Sequence, residues 1–485
     1  MKTSKLLFFD WRHLQCGNLA WLTPDGTRHS VSRPPEPQVP MRAEPRKIPR
    51  GLRLEAQPAT KTDKVDDWKG WGRTIWDQGR YRSWYFEING HAKLGSGARA
   101  HDQPPESVVI CGVESTDGFA WSAPRRCPIQ IAGHEGFDGL TFFIDPAAPP
   151  AQRYKFVYCA RITDERIYAK PLEAYLKQHP RYRDSRISAQ RAYGMFAAVS
   201  PNGVQWTALP EPLMLHPSDT DTTVFRDEEL GRYVMYTRMM REDRRWVGRA
   251  EAEDFEHWGP VEPVLWPRLD DPPDYDIYLN GYSRYPGHPA YQLMFPMYYF
   301  RATERSEVRL CSSSDGLAWN QVPGGPVIAP GPPGAWDSEF IGSGKDLVPF
   351  GPGRIATPYS GTPYPHKYPR WPAVWDAWNQ GWAWWPEDRL CALKADQEGE
   401  CWTLPVTPAG RQLRLNLRTP SAGLIRVGVE GLAGRTVEDC DPLWGDRPDQ
   451  LVTWKGQPNI DIAETQPLTL HLQLRCAELF SISFV

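Results

Sequence analysis

Along this chain, apolar residues fall in short alternating runs broken by Gly, Pro, Asp and Asn, the pattern of many brief strands joined by turns. The runs come in pairs, each opened by an acidic residue. Phe137-Asp138-Gly-Leu-Thr-Phe-Phe-Ile-Asp145 is followed by 153–158, 219–227 by 231–236, 274–281 by 291–295, and 336–341 by 354–359. An earlier pair, 67–76 with 81–86, has the same form. A signature recurs between pairs: Glu114-Ser-Thr-Asp117-Gly118-Phe-Ala-Trp121, Val199-Ser-Pro-Asn202-Gly203-Val-Gln-Trp206, Glu251-Ala-Glu-Asp254-Phe-Glu-His-Trp258 and Ser312-Ser-Ser-Asp315-Gly316-Leu-Ala-Trp319. In each, a residue suited to a turn stands just ahead of a Trp, the chemistry that closes a hairpin. A repeat at intervals of about 50 to 85 residues marks a propeller-type array. Five units, each able to supply a four-stranded blade, predict an all-β, five-bladed β-propeller. The acidic openings of its innermost strands should converge at one mouth of the channel.

From about residue 396 the signature stops. Short alternating segments follow (412–417, 424–429, 451–454, 468–474 and 480–485), and they predict a β-sandwich. The expected organisation is a propeller over 1–395, with an N-terminal strand segment over 1–45 and a Trp-rich connector over 371–395, followed by a sandwich domain over 396–485. Spread along all 485 residues, 49 Pro and 40 Gly with 22 Trp and 20 Tyr fit turn-rich β-structure rather than disorder.

A net charge of −3 argues against a nucleic-acid partner. The Arg-rich stretches 181–191 and 238–249 are read as solvated loops, with an anion-binding patch as the alternative. No apolar run is long enough for a membrane span. The N-terminal apolar run ends at Asp10 after four residues, too short for a signal peptide, so the expectation is an unexported, cytoplasmic protein. Nine Cys without regular spacing fit free thiols, and no zinc spacing occurs. No metal and no cofactor is expected; a Ca²⁺ held by channel carboxylates is the alternative weighed.

Phe142-Phe-Ile-Asp145-Pro with Arg153-Tyr-Lys155, the 312–319 signature, and Val437-Glu-Asp-Cys440-Asp-Pro-Leu-Trp-Gly-Asp446 with Val452-Thr-Trp-Lys-Gly456 carry a resemblance spanning nearly the whole chain. It resembles the five-bladed β-propeller glycoside hydrolases of families 32, 43 and 68, with a C-terminal β-sandwich as in family 32. It is closest to bacterial family-32-like or sialidase-like proteins of unproven activity. The resemblance implies a carbohydrate substrate. It also implies a nucleophilic Asp within an Asn-Asp-Pro-Asn motif of the first blade. Here that strand reads Gly70-Trp-Gly-Arg-Thr-Ile-Trp76, with Asp66 and Asp67 upstream. Phe137-Asp138-Gly139 echoes the family's Arg-Asp-Pro motif, and its Glu-Cys acid motif is replaced by Asp219 and Asp221.

Glycosidic cleavage needs one protonated and one ionised carboxyl group, which a ring of converging acids supplies. The candidate catalytic trio is Asp138, Asp221 and Glu339. Glu339 is the expected acid because Trp336 and Phe340 flank it, Asp138 is the base or nucleophile, and Asp221 holds the sugar hydroxyls or tunes the acid. The same acids would otherwise cap strand starts, the reading preferred for Asp117, Asp145, Asp227 and Asp315. Candidate substrate-binding residues are Asp276, Asp337, Trp71, Arg73, Trp336, His134 and Tyr278, with His366 and Tyr359 nearby. The expected activity is an exo-acting glycoside hydrolase on a short oligosaccharide or glycoside. Its rivals are a silent carbohydrate-binding propeller and a lyase or phosphorylase, for which Arg73, Arg153 or Lys345 would bind phosphate.

Overall fold

The computed structural model describes residues 2–16, 20–22, 28–30, 47–65, 68, 74–88, 91–93, 108–130, 134–162, 177, 193–218, 220, 222–366, 378–463 and 466–485; for 20–22, 28–30, 86, 88, 91–93, 108, 130 and 134–138 it gives the backbone alone. The chain forms two compact units: Pro58–Gln321 with Pro326–Trp385, and Met1–Gln57 with Val322–Gly325 and Pro386–Val485.

The first unit is a propeller of five antiparallel blades. From the inside outward, blade I is Thr74–Asp77, Arg80–Ile88, Val108–Ser115 and Arg125–Cys127. Blade II is His134–Ile144, Tyr154–Ile162, Tyr193–Ser200 and Trp206–Ala208, and blade III is Thr223–Asp227, Arg232–Arg241, Arg244–Ala252 and Glu262–Leu265. In blade IV three strands are interrupted: Tyr275–Leu279 continues as Tyr282–Tyr285, His288–Met294 as Met297–Phe300, and Arg305–Val308 as Cys311–Ser313, with Asn320–Gln321 outermost. Blade V is Phe340–Ser343 with Val348–Pro349, then Arg354–Thr362 and Asn379–Pro386. Its outermost strand is Thr60–Lys61, paired with Ala383 and Trp384, so chain from before blade I closes the ring. Trp382 and Trp385 are fully buried. The Trp-rich stretch from 379 onward is therefore a blade strand rather than the connector expected from sequence.

Each blade is too thin to bury its own apolar faces, so the cores lie between blades. Trp84 of blade I stacks on Phe142 of blade II at 5.0 Å, and Phe225 of blade III on Tyr282 of blade IV at 4.4 Å. Tyr299 of blade IV meets Phe340 of blade V edge-on, and Tyr81 of blade I donates to the Pro349 carbonyl of blade V.

The signature turns explain how blades register. In each, the Asp or Asn side chain accepts two backbone amides two and three residues on: Asp117 from Phe119 and Ala120, Asn202 from Val204 and Gln205, Asp254 from Glu256 and His257, Asp315 from Leu317 and Ala318. The glycine then meets the preceding blade. Trp84 Nε1 donates to the Gly203 carbonyl at 2.8 Å, Tyr236 Oη to that of Gly316 at 2.7 Å, and Trp382 Nε1 to that of Gly118 at 2.9 Å. Where the signature has Phe255 instead, its ring packs on Phe143 of blade II. The acids closing three inner strands do the same toward the following blade. Asp77 pairs with Arg153 and Tyr154, Asp145 with Tyr233, and Asp227 with Arg284. Asp145 and Asp227 also accept amides of their own turns.

A first prediction follows from Gly203, at φ +74°, where an added Cβ would stand 2.8 Å from the Trp84 ring. Gly203→Ala is expected to destabilise the protein by about 2 kcal/mol or more, because backbone strain and the blade contact both suffer. Gly231→Ala, at φ +65° with open space around it, should cost only the backbone part. Urea unfolding of both variants measures the difference.

In the second unit a seven-stranded antiparallel arrangement builds the β-sandwich around the long strand Leu470–Phe484. Its first half pairs with Leu424–Val429 and its second with Leu413–Arg418, while Cys391–Trp402 runs along the other side. Leu415, Ile425, Val427, Leu472, Ile482 and Trp454 are buried between them. Lys5–Leu7 pairs with Ser481–Ser483, and Arg53–Ala56 with Cys391–Lys394. The N-terminal strand thus belongs to this unit, a correction to its sequence-based place in the propeller. A three-residue strand pairs wherever an open edge lies, which its own pattern does not encode.

Candidate functional site

The two faces of the propeller differ in their connections. Where inner strands end, loops are short: 78–79, 145–153, 228–231 and 286–287. Where they begin, 89–107 in blade I, 163–192 in blade II and 363–378 in blade V separate the second strand from the third. Long connections held by a rigid scaffold are where binding and catalytic groups concentrate, so this second face is the candidate mouth.

Below it the axis is closed. Thr74, Thr141, Thr222, Thr223, Asn280, Ser343 and Lys345 are all buried. Lys345 of blade V reaches across the centre, its ammonium donating to the carbonyls of Leu140 in blade II at 2.7 Å and of Thr222, beside the inner strand of blade III, at 2.6 Å. Thr223 donates to Asn280 at 2.9 Å, and Asn280 to the Tyr236 carbonyl. Lys345 is therefore a tie between blades. Arg153 is likewise bound to Asp77, so neither cation is set out for phosphate as the sequence had suggested.

At the mouth, three blades converge on Tyr278 of the inner strand of blade IV. From blade III the guanidinium of Arg238 lies 5.1 Å from its ring centre and that of Arg245 4.7 Å. From the loop after the second strand of blade V, His366 Nε2 is 3.1 Å from its hydroxyl, while the His366 ring stacks on Phe340 at 4.5 Å. A side chain touched from both neighbouring blades points inward.

Beside it, fully buried Asp276 accepts from the Arg245 amide (3.0 Å) and Nη1 (2.6 Å) and from Arg301 Nε (2.8 Å) and Nη2 (2.9 Å). Burial alone would raise the Asp276 carboxyl, but the bonds from Arg301 and from the Arg245 amide, with Arg245's charge, hold it below its ordinary value. Asp276 is a clamp for two arginines, with no lone pair spare for a sugar. Asp276→Asn is expected to cost about 2 kcal/mol, since it weakens a buried carboxylate's bonds to two half-buried guanidiniums. Because the folded value is lowered, the wild-type advantage is complete above the ordinary carboxylate range and fades as pH falls through the folded value. Denaturant titrations of both proteins at several pH values read this directly.

The arginine run 238–249 corrects the sequence reading. It forms the hairpin Arg232–Arg241 with Arg244–Ala252, and Arg238 and Arg249 are buried rather than solvated. Alternation within a strand points Arg245 and Trp246 to opposite faces, and a count of arginines cannot reveal that. The stretch 181–191 lies outside the described residues, as do Asp219, Asp221, Trp71 and Arg73.

Asp138 and His134 belong to the inner strand of blade II. Asp138 stands opposite Cys159 between two register irregularities, and bulges of this kind re-aim side chains beside active sites. Its neighbour Gly139, at φ +59°, packs so tightly against the preceding loop of blade III that a Cβ would stand 2.4 Å from the Thr220 carbonyl and 2.6 Å from that of Ser218. Glu339 is elsewhere engaged: Arg305, on the third strand of blade IV, bonds both its oxygens, at 2.5 and 2.7 Å. Asp337 is buried, bound to Lys61 at 2.6 Å and Tyr359 at 3.0 Å, and Trp336 lies against Tyr359. These contacts hold the loop before blade V onto its own blade, with Asp337 buried and Trp336 half-buried. Among the described residues, no group of three His, Cys, Asp or Glu is arranged to hold a metal ion.

No protein-family model matches the sequence, and no curated protein does. Solved structures similar to it include a protein described as a glycoside hydrolase, with TM-score 0.42 and 14% identity over 69% of this chain and 91% of that one. A β-fructofuranosidase from Schwanniomyces occidentalis in complex with fructosyl-erythritol gives TM-score 0.42 and 9% identity over 89% and 97%. A β-1,2-mannobiose phosphorylase from Listeria innocua gives 0.41 and 10% over 70% and 93%. The likeness is distant and concerns architecture alone.

Proposed function

We propose that this protein is a glycoside hydrolase that takes the end of a short oligosaccharide or a glycoside into the propeller mouth and cleaves it with Asp138 and Asp221 as its carboxylate pair. One observation carries the reading: Gly139 presses on the carbonyls of Ser218 and Thr220. Asp138 is the residue before one side of that contact, and Asp221 the residue after the other. Two acids next in sequence to the two sides of one such contact suit a mechanism in which one protonates the leaving oxygen and the other acts on the anomeric carbon, directly or through water. The axis closed by Lys345 supports a pocket that admits a chain end, hence exo-action. Glu339, with both oxygens on Arg305, is assigned a supporting role in place of the acid. No cofactor enters this chemistry.

The test is a panel of aryl glycosides and short oligosaccharides, with and without inorganic phosphate. Phosphate-independent release of a terminal sugar is the expected result. Turnover only with phosphate would overturn it in favour of phosphorolysis. Binding without any turnover would make the protein a sugar-binding propeller.

A further inference from the structure

Two guanidiniums meet a single carboxylate where blades III and IV adjoin. Elsewhere in the propeller, Glu339 pairs with Arg305, and Asp77 is shared by Arg153 and Arg82. At the III–IV junction, Arg245 and Arg301 share the one carboxylate of Asp276, and Arg238 lies over the same Tyr278 ring as Arg245. Asp276 is saturated by four donors, yet donors remain. Arg245 Nε is buried without a partner, and Arg245 Nη2 and Arg301 Nη1 make no hydrogen bond among the described residues. The side chains of Arg245 and Arg301 keep 21% and 37% of their surface exposed, so solvent reaches them, and Tyr278 steadies the first by stacking.

Resting on the carbohydrate reading above, we infer that Arg245 and Arg301 form a subsite for a carboxylate borne by the sugar, so that the preferred substrate is an acidic, uronate-type glycan. A carboxylate accepts paired guanidinium donors edge-on and neutralises the surplus charge; a neutral hydroxyl does only the first, and weakly. Asp276 holds both guanidiniums before the ligand arrives, so little side-chain freedom is lost on binding.

Calorimetric titration of the full chain with methyl glucuronide and methyl galacturonide, against methyl glucoside, methyl galactoside and inorganic phosphate, tests this without requiring turnover. The acidic glycosides should bind about tenfold more tightly or better, as expected for a charge-assisted bond. Arg301→Gln and Arg245→Gln should each remove that preference while neutral-sugar binding persists, with thermal unfolding confirming that both variants are folded. Arg301→Lys serves if Arg245→Gln is unstable, and should retain only part of the preference. Equal affinity for acidic and neutral sugars overturns the inference but leaves the hydrolase reading intact, as does a preference that survives both substitutions. Binding of phosphate alone overturns the inference, and binding of no sugar at all removes the carbohydrate reading with it.

Discussion

Asp138→Asn is expected to lower kcat on any glycoside the protein hydrolyses by about 10³-fold, within the range that positioned acid–base groups contribute, while leaving the unfolding midpoint close to wild type. Asn matches the carboxylate in size but can neither lose nor deliver a proton at working pH. Strand pairing is made by the backbone, which the exchange leaves unchanged. Asp221→Asn should show a loss of the same order, because the two groups are asked to act on one bond from two sides. Glu339→Gln provides the contrast. It loosens an ion pair to the half-exposed Arg305, which is worth about 1 kcal/mol or less, so activity should fall less than tenfold. If Glu339→Gln abolished turnover and Asp138→Asn did not, the acid would be Glu339 after all, released from Arg305 by substrate.

Lys345→Met should be the most destabilising single change in the propeller, by about 3–5 kcal/mol in chemical unfolding. The substitution keeps much of the volume and relieves the cost of a buried charge, which by itself favours the variant. What decides the sign is left behind. The carbonyls of Leu140 and Thr222 remain on the axis and lose their donor, and blades II and III lose their link to blade V. A midpoint within about 1 kcal/mol of wild type would show that water replaces the ammonium and that the tie is dispensable.

The contribution of sequence differs between these residues for reasons of range. Asp117, Asn202, Asp254 and Asp315 were legible as turn residues because every bond they make to a backbone amide lies within three positions. The acids Asp145 and Asp227 were legible as turn caps on the same ground, but their partners Tyr233 and Arg284, in the next blade, were not. Tyr278 was named as an aromatic candidate from its strand. Arg245 and Arg301, the residues that give its surroundings their charge, were missed. They lie in a turn-flanking position and at a strand end, and nothing local distinguishes them from solvated arginines. The local signal is the density of arginines over 238–249, and density alone reads as a solvated loop.

From the amino-acid order alone come the alternating strands, the turn that repeats at their ends, the all-β class and the number of blades, since each depends on neighbours a few bonds away. Tertiary structure alone decided which edge the strands Lys5–Leu7 and Thr60–Lys61 join, that Lys345 crosses the axis, and that Asp276 is spent on two arginines while Glu339 is spent on Arg305. Those choices are made between groups far apart in the chain, where burial and unpaired hydrogen-bonding capacity select the partner. A short strand or a lone charge carries no record of which partner will be nearest once the ring has closed.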